Sequence, residues 1–231
     1  FGLGYWTRLF QYITFREGIA IILSLIISLI FGGNIIHLLR SLQVGEEVRD
    51  LGLAGQKSKQ GTPTMGGIII VLAILLPCWL MARLDNIYVV LMLVATSWMT
   101  IIGFIDDYIK VFLKNKKGLH GRFKIMGQVG LGLFIALTMM NNEQIVVRLD
   151  VAEAQSINLG AKEIVGDTIR VFDGDILISE KADYKTNLTN VPFLKGNRLD
   201  YGQLFGLAPH LAWIVFVPFV IFLVTAVSNA A

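Results

Sequence analysis

The stretch at 100–117 reads TIIGFIDDYIKVFLKNKK. Its apolar beginning ends on two adjacent carboxylates, Asp106 and Asp107, and a basic segment follows directly. Acids beside several cations, at the rim of a membrane, suit a metal-bound phosphate ester. The pair also fits a simple helix end at the interface, because a charge at mid-membrane costs roughly 2.5–3.5 kcal/mol. The stretch therefore predicts a membrane helix with a candidate site at its end.

Composition indicates a membrane protein. The chain has 231 residues, of which 55% are hydrophobic and 16% charged, whereas an ordinary soluble domain has about 25% charged residues. Cys78 is the only cysteine, so an intrachain disulfide is excluded. Both ends of the sequence look cut. We therefore expect a single integral membrane domain over 1–231, truncated at both ends.

Five apolar runs are candidates to cross the roughly 30 Å of hydrocarbon in a bilayer. They lie at about 20–39, 66–82, 87–105, 125–140 and 207–227. The expected fold is an all-α polytopic membrane protein with about five transmembrane helices. Residues 1–17 are amphipathic and aromatic, which favours a segment at the membrane surface.

The one long polar stretch, 141–206, is predicted to be an insert outside the membrane. Its β-branched runs at 145–147 and 169–172 are broken by Asp173, Gly174 and Asp175. This pattern favours short strands or a hairpin. The fold prediction therefore includes a small external β-containing segment.

Lysine and arginine in the short loops predict the orientation. The loop after the first run has four such residues and the loop after the third has six, whereas the turn after the second has only Arg83. The two basic loops are therefore predicted to be cytoplasmic and the 141–206 insert extracytoplasmic. On that orientation one face, the cytoplasmic one, collects the candidate site residues Lys59, Thr64, Asp106, Asp107 and Asn229.

The paired aspartates suit phosphate chemistry. Adjacent helical residues point about 100° apart, so one carboxylate is placed to bind metal or act as base while the other holds a nearby lysine. Mg²⁺ takes a few carboxylate oxygens together with substrate phosphates. Lysines neutralise charge that builds up on phosphates, and a carboxylate can accept a proton from a phosphate nucleophile.

A second motif, KQGTPTMGG at 59–67, precedes the second apolar run. Pro63 and the glycines break the helix and let backbone approach a ligand, and Thr62 and Thr64 can cap the next helix. The residues support two interpretations equally. One is an ordinary loop with a helix cap, and the other is a ligand-contacting loop with Lys59 as a phosphate or nucleotide contact.

Four motifs together resemble the bacterial phospho-N-acetylmuramoyl-pentapeptide transferase family. They are KQGTPTMGG at 59–67, GFIDDYIK at 103–110, KGLHGRFK at 117–124 followed by Gly127 and Gln128, and SNAA at 228–231. The resemblance covers nearly the whole chain apart from part of 141–206, which looks longer than usual for the family. It implies about ten spans in the complete family fold and a groove open to membrane and cytoplasm.

The resemblance also implies a reaction. A phospho-N-acetylmuramoyl-pentapeptide moves from its UDP-linked donor to undecaprenyl phosphate, giving lipid I and UMP with Mg²⁺, in peptidoglycan synthesis at the bacterial cytoplasmic membrane. Asp106 or Asp107 would activate the lipid phosphate or organise the metal. The implied substrate contacts are Lys59 and Thr64 on the nucleotide side, Lys110, Lys114 and Lys124 near phosphates, and Asn229 in the uridine or metal region. The family implies a homodimer, and no nucleic acid partner is expected.

Two other interpretations compete with this one. The first is a transferase of the same superfamily that moves N-acetylglucosamine phosphate onto a polyprenyl phosphate; it shares the acidic pair but not the TPTM run. The second is a transporter or membrane scaffold, but transporters place polar groups at the midplane, and here they collect at one face. The family's later motifs do not occur in these 231 residues, so the chain alone is predicted to be inactive.

Overall fold

The computed structural model describes residues 8–42, 65–115, 117–157, 159, 163–173, 176–186, 188–190, 198–201, 205–206 and 211–230. Two predicted contact residues, Lys59 and Thr64, lie outside these residues. The chain divides into two compact units, Phe1–Gly127 and Gln128–Ala231, which we call the first and second units.

The first unit is built from apolar helices. They are α1 (Ile13–Leu42), α2 (Gly67–Met81), α3 (Ile87–Val111) and the first residues of α4 (Gly121–Asn141). Helix α1 packs along α2, where the buried Gly32 faces Ile69. Asn86 is the N-cap of α3. Its side chain accepts a hydrogen bond of 2.9 Å from the Tyr88 amide and so satisfies a donor at the helix start.

The predicted apolar runs all form helices. Within the described residues, α1, α3, α4 and α6 (Trp213–Ala230) are long and apolar enough to cross a membrane. Helix α2 has 15 residues and is about 22 Å long, short of a full crossing of about 30 Å. Large apolar side chains such as Leu29 (80% exposed) and Met92 (71%) point outward, as lipid-facing residues do. The prediction of a mostly helical, polytopic membrane protein is confirmed.

The second unit contains the predicted β-segment as a three-stranded antiparallel sheet. Its strands are β1 (Val147–Asp150), β2 (Ile169–Asp173) and β3 (Ile176–Tyr184), in the order β1-β3-β2. Asp173 pairs with Ile176, so β2 and β3 form the hairpin that the sequence indicated. A second pair, β4 (Leu188–Asn190) and β5 (Arg198–Asp200), is also antiparallel.

A short helix completes the core of the sheet. Asp150 ends β1 and caps α5 (Val151–Ser156) by accepting a hydrogen bond from the Ala152 amide. The alternation of strand side chains turns Leu149, Ala182 and Tyr184 to one side, where they pack with Ala154 of α5 as a buried cluster. The polar insert thus has an apolar core of its own.

Lys185 joins the sheet to the end of α4 within the second unit. Its Nζ donates hydrogen bonds to the carbonyls of Met139 (3.2 Å), Asn142 (2.5 Å) and Ile145 (3.4 Å). The last carbonyls of a helix have no partners inside it, and a cation is the favoured group at that end. Burial lowers the pKa of Lys185, and the Glu143 carboxylate opposes that shift. The lysine therefore positions the sheet directly after the helix.

Gly132 sets the spacing between α4 and α6, and we expect Gly132→Ala to destabilise the protein by about 1–3 kcal/mol. A Cβ at this position would lie 2.8 Å from the Ile221 Cα. Because that atom belongs to the backbone, a change of side-chain rotamer cannot relieve the clash. Thermal unfolding in detergent would measure the loss. The control is Gly103→Ala, because a Cβ there meets nothing within 4 Å and alanine favours a helix by about 0.5–1 kcal/mol. Equal stability of the two variants would contradict the packing argument.

Candidate active site

Asp106 is the centre of a charged cluster in the first unit. It lies in the last turns of α3 and is only 8% exposed. Its Oδ2 accepts a hydrogen bond of 2.6 Å from Lys110, one helical turn later. Its Oδ1 accepts from Lys124 at 2.9 Å and from the Leu119 backbone amide at 2.7 Å. Both oxygens of this carboxylate are therefore engaged by strong donors, two of them cationic.

The loop between α3 and α4 is folded tightly around Asp106. Gly118 donates its amide to the Asn115 carbonyl at 2.9 Å, and the Asn115 side chain accepts from the Lys117 amide at 3.1 Å. Gly118 has a φ of +66°, and a Cβ there would lie 2.5 Å from Asp106 Oδ1. Only glycine combines that left-handed backbone with so close an approach. The loop thereby delivers the next amide, that of Leu119, to the carboxylate.

Asp107 is in a different situation from its neighbour. Its side chain is 33% exposed, and its Oδ1 lies 3.5 Å from Lys110 Nζ. Adjacent helical side chains diverge by about 100°, so of the three donors that hold Asp106 only Lys110 also contacts Asp107 among the described residues. With respect to the described part of the chain, its carboxylate therefore retains lone pairs that can accept a proton or bind a cation.

The carboxylates fit Mg²⁺ in one arrangement. Within the described part of the chain no group of three or more His, Cys, Asp or Glu side chains comes together, so a site formed by protein ligands alone is not found there. Mg²⁺ often takes one or two carboxylates and completes its shell with substrate phosphates and water. Asp107 offers such a carboxylate, whereas Asp106 already accepts three donors, two of them cations that would repel a metal ion.

The structure brings together some of the predicted site residues. Lys110 and Lys124 both contact Asp106. Lys114 is exposed in the loop with a φ of +51°, and no contact to the aspartates is found for it among the described residues. The sequence pattern did not identify the Leu119 amide, because a backbone donor leaves no residue type to recognise. The sequence indicated the Leu119 amide only indirectly, through the neighbouring Gly118.

Asn229 lies in the second unit, on α6. Its Nδ2 donates to Gln128 Oε1 at 2.9 Å and to the Thr225 carbonyl at 2.8 Å. Gln128 Nε2 approaches Asn229 Oδ1 at 3.5 Å, and Gln128 is only 4% exposed. Gln128 is part of the third family-like motif of the sequence, but the sequence alone assigned it no role. A buried amide in an apolar helix was the available signal, since such groups require a partner.

Comparison with known proteins identifies the family. Residues 59–71 match the phospho-N-acetylmuramoyl-pentapeptide-transferase signature 1. The chain is 46% identical over 229 residues to the phospho-N-acetylmuramoyl-pentapeptide-transferase of Flavobacterium johnsoniae, a match that covers 97% of this chain and 53% of the relative. It is 50% identical over 227 residues to that of Parabacteroides distasonis, with 96% and 51% covered.

The chain spans about half the length of the curated relatives it matches. The match to the signature, the paired aspartates and the sequence identity along nearly the whole chain all indicate the same family. The chain therefore belongs to the phospho-N-acetylmuramoyl-pentapeptide-transferase family.

Proposed function

We propose that the full-length protein containing this chain transfers phospho-N-acetylmuramoyl-pentapeptide from its UDP-linked donor to undecaprenyl phosphate. The products are lipid I and UMP, and the reaction belongs to peptidoglycan synthesis. The observation that carries the proposal is the pairing of a lysine-bound Asp106 with an open Asp107 at the end of a membrane helix. The family membership supports the choice of substrates.

In this proposal Asp107 performs the proton chemistry. An oxygen of the acceptor phosphate attacks the sugar-bound phosphorus of the donor, and the bond between the two donor phosphates breaks to release UMP. Asp107 accepts the proton of the acceptor phosphate, because the described residues engage its carboxylate only through the 3.5 Å contact with Lys110. It is also the residue that would hold Mg²⁺, which would offset phosphate charge when bound.

Asp106 has a supporting role in the proposal. It holds Lys110 and Lys124 on its two oxygens and so fixes both cations, of which Lys110 also reaches Asp107 at 3.5 Å. An ammonium group has three N–H donors, and Lys124 donates one of them to Asp106. Those that remain are available to phosphate oxygens, whose negative charge they would stabilise during transfer. Lys114, Lys59, Thr64 and Asn229 remain proposed substrate contacts.

The proposed setting is the bacterial cytoplasmic membrane, with the site on the cytoplasmic face. A carboxylate at the end of a membrane helix lies at the depth of lipid phosphates, which suits an acceptor whose polyprenyl chain stays in the bilayer. The 141–206 insert, within the single membrane domain that we propose, would then be extracytoplasmic. Homodimerisation remains a proposal from the family.

Donor preference tests the function. We expect the purified full-length protein, with Mg²⁺ and undecaprenyl phosphate, to release UMP from UDP-N-acetylmuramoyl-pentapeptide but not from UDP-N-acetylglucosamine. Chelation of Mg²⁺ by EDTA is expected to stop the release, and excess Mg²⁺ to restore it. Turnover of UDP-N-acetylglucosamine alone would favour the related N-acetylglucosamine phosphate transferase instead. If UMP is released from neither nucleotide, both proposed activities are contradicted.

A further inference from the structure

The hydrogen bonds of Asn229 fix which atom it offers to a ligand. The Thr225 carbonyl is only an acceptor, so the Asn229 atom that faces it at 2.8 Å must be the amide nitrogen. The second N–H of that nitrogen goes to Gln128 Oε1 at 2.9 Å. Both donors of the Asn229 side chain are therefore used inside the second unit.

The acceptor of Asn229 remains open. Among the residues that the structure describes, its Oδ1 has only the long contact of 3.5 Å to Gln128 Nε2, and an amide oxygen has two lone pairs. Asn229 is exposed, whereas Gln128 is buried. A buried amide must keep its hydrogen bond, because losing it costs about 1–3 kcal/mol. Gln128 therefore holds the Asn229 nitrogen inward and turns its oxygen outward.

We propose that Gln128 is a positioning residue that makes Asn229 a hydrogen-bond acceptor for the nucleoside of the UDP-linked donor. This inference rests on the proposed function. Without Gln128 the Asn229 amide would keep only its hydrogen bond to the Thr225 carbonyl, and rotation by 180°, which presents a nitrogen suited to a phosphate oxygen, would cost less. With Gln128 in place, the exposed oxygen selects an N–H or O–H donor. On a uridine nucleotide the candidates are the uracil imide N–H and the ribose 2′-hydroxyl.

Steady-state kinetics of the full-length protein test the role of Gln128. We expect Gln128→Met, of similar volume but without hydrogen bonds, to raise the KM for the nucleotide donor about tenfold and to leave kcat within about threefold. If Gln128 acts through Asn229, the double variant Gln128→Met/Asn229→Leu is no worse than Asn229→Leu alone. The control is Thr138→Val, which removes a hydroxyl that donates to the Phe134 carbonyl of its own helix.

Inhibition of the wild-type enzyme identifies the ligand group without any variant. We expect either 3-methyl-UMP or 2′-deoxy-UMP to bind about tenfold more weakly than UMP, according to which donor meets Asn229. That difference should vanish in Asn229→Leu. Equal inhibition by all three nucleotides, or an unchanged donor KM in Gln128→Met, would overturn the inference. Wild-type protein that releases no UMP would instead contradict the proposed function itself.

Discussion

Asp107→Asn in the full-length protein is expected to lower the rate of UMP release by about 10²–10⁴-fold. Asparagine keeps the shape of the side chain but cannot accept the proton of the acceptor phosphate or bind Mg²⁺ with a negative charge. The variant should fold normally, because the Asp107 carboxylate is partly exposed and makes only a 3.5 Å contact with Lys110. The measurement is kcat for UMP release together with the unfolding temperature in detergent.

A second carboxylate serves as the control for this prediction. Asp85 lies in the turn before α3, where it forms an exposed ion pair with Arg83 at 2.8 Å. Asp85→Asn removes the same charge from the same type of side chain, and exposed pairs of this kind contribute little to stability. We expect its turnover to stay within about twofold of wild type. Near-normal UMP release by Asp107→Asn would show that Asp107 has no chemical role.

Gly118→Ala is expected to lower turnover by about 10–100-fold, because small displacements of catalytic groups have large effects on rate. The added Cβ would lie 2.5 Å from Asp106 Oδ1 and 2.7 Å from Lys110 Cε, at a φ of +66°. The loop would have to move, and the Leu119 amide would leave the carboxylate with it. The proposed result is a less ordered pair of lysines on Asp106, next to Asp107.

Gly121→Ala is the matched control for Gly118→Ala. Gly121 lies three residues later, at the start of α4, and a Cβ there meets nothing within 4 Å. The two variants carry the same chemical change in the same connection between helices. Full activity of Gly118→Ala would show that the turn tolerates a side chain and that the Asp106 cluster does not depend on it. Equal losses in both variants would indicate a general sensitivity of this connection.

Much of the fold follows from local patterns. The apolar runs predicted the helices because a segment in lipid must satisfy its own backbone hydrogen bonds. The β-branched runs around Asp173 likewise predicted a hairpin, which the pairing of Asp173 with Ile176 confirms. Boundaries were less exact. Helix α3 extends past Asp107 to Val111, because a helix does not end at the first charged residue when that residue finds partners in the next turn.

The sequence by itself determined the class of the protein, the helical segments and the residues Asp106 and Asp107 as a candidate site. Those features depend on composition, periodicity and motifs, which are local. The tertiary structure alone decided that Asp106 binds Lys124 and the Leu119 amide, 18 and 13 residues away along the chain, while Asp107 has just the 3.5 Å contact with Lys110 among the described residues. It also paired Gln128 with Asn229. Two neighbouring carboxylates of identical chemistry differ only through what the folded chain places around them, and no local pattern encodes that.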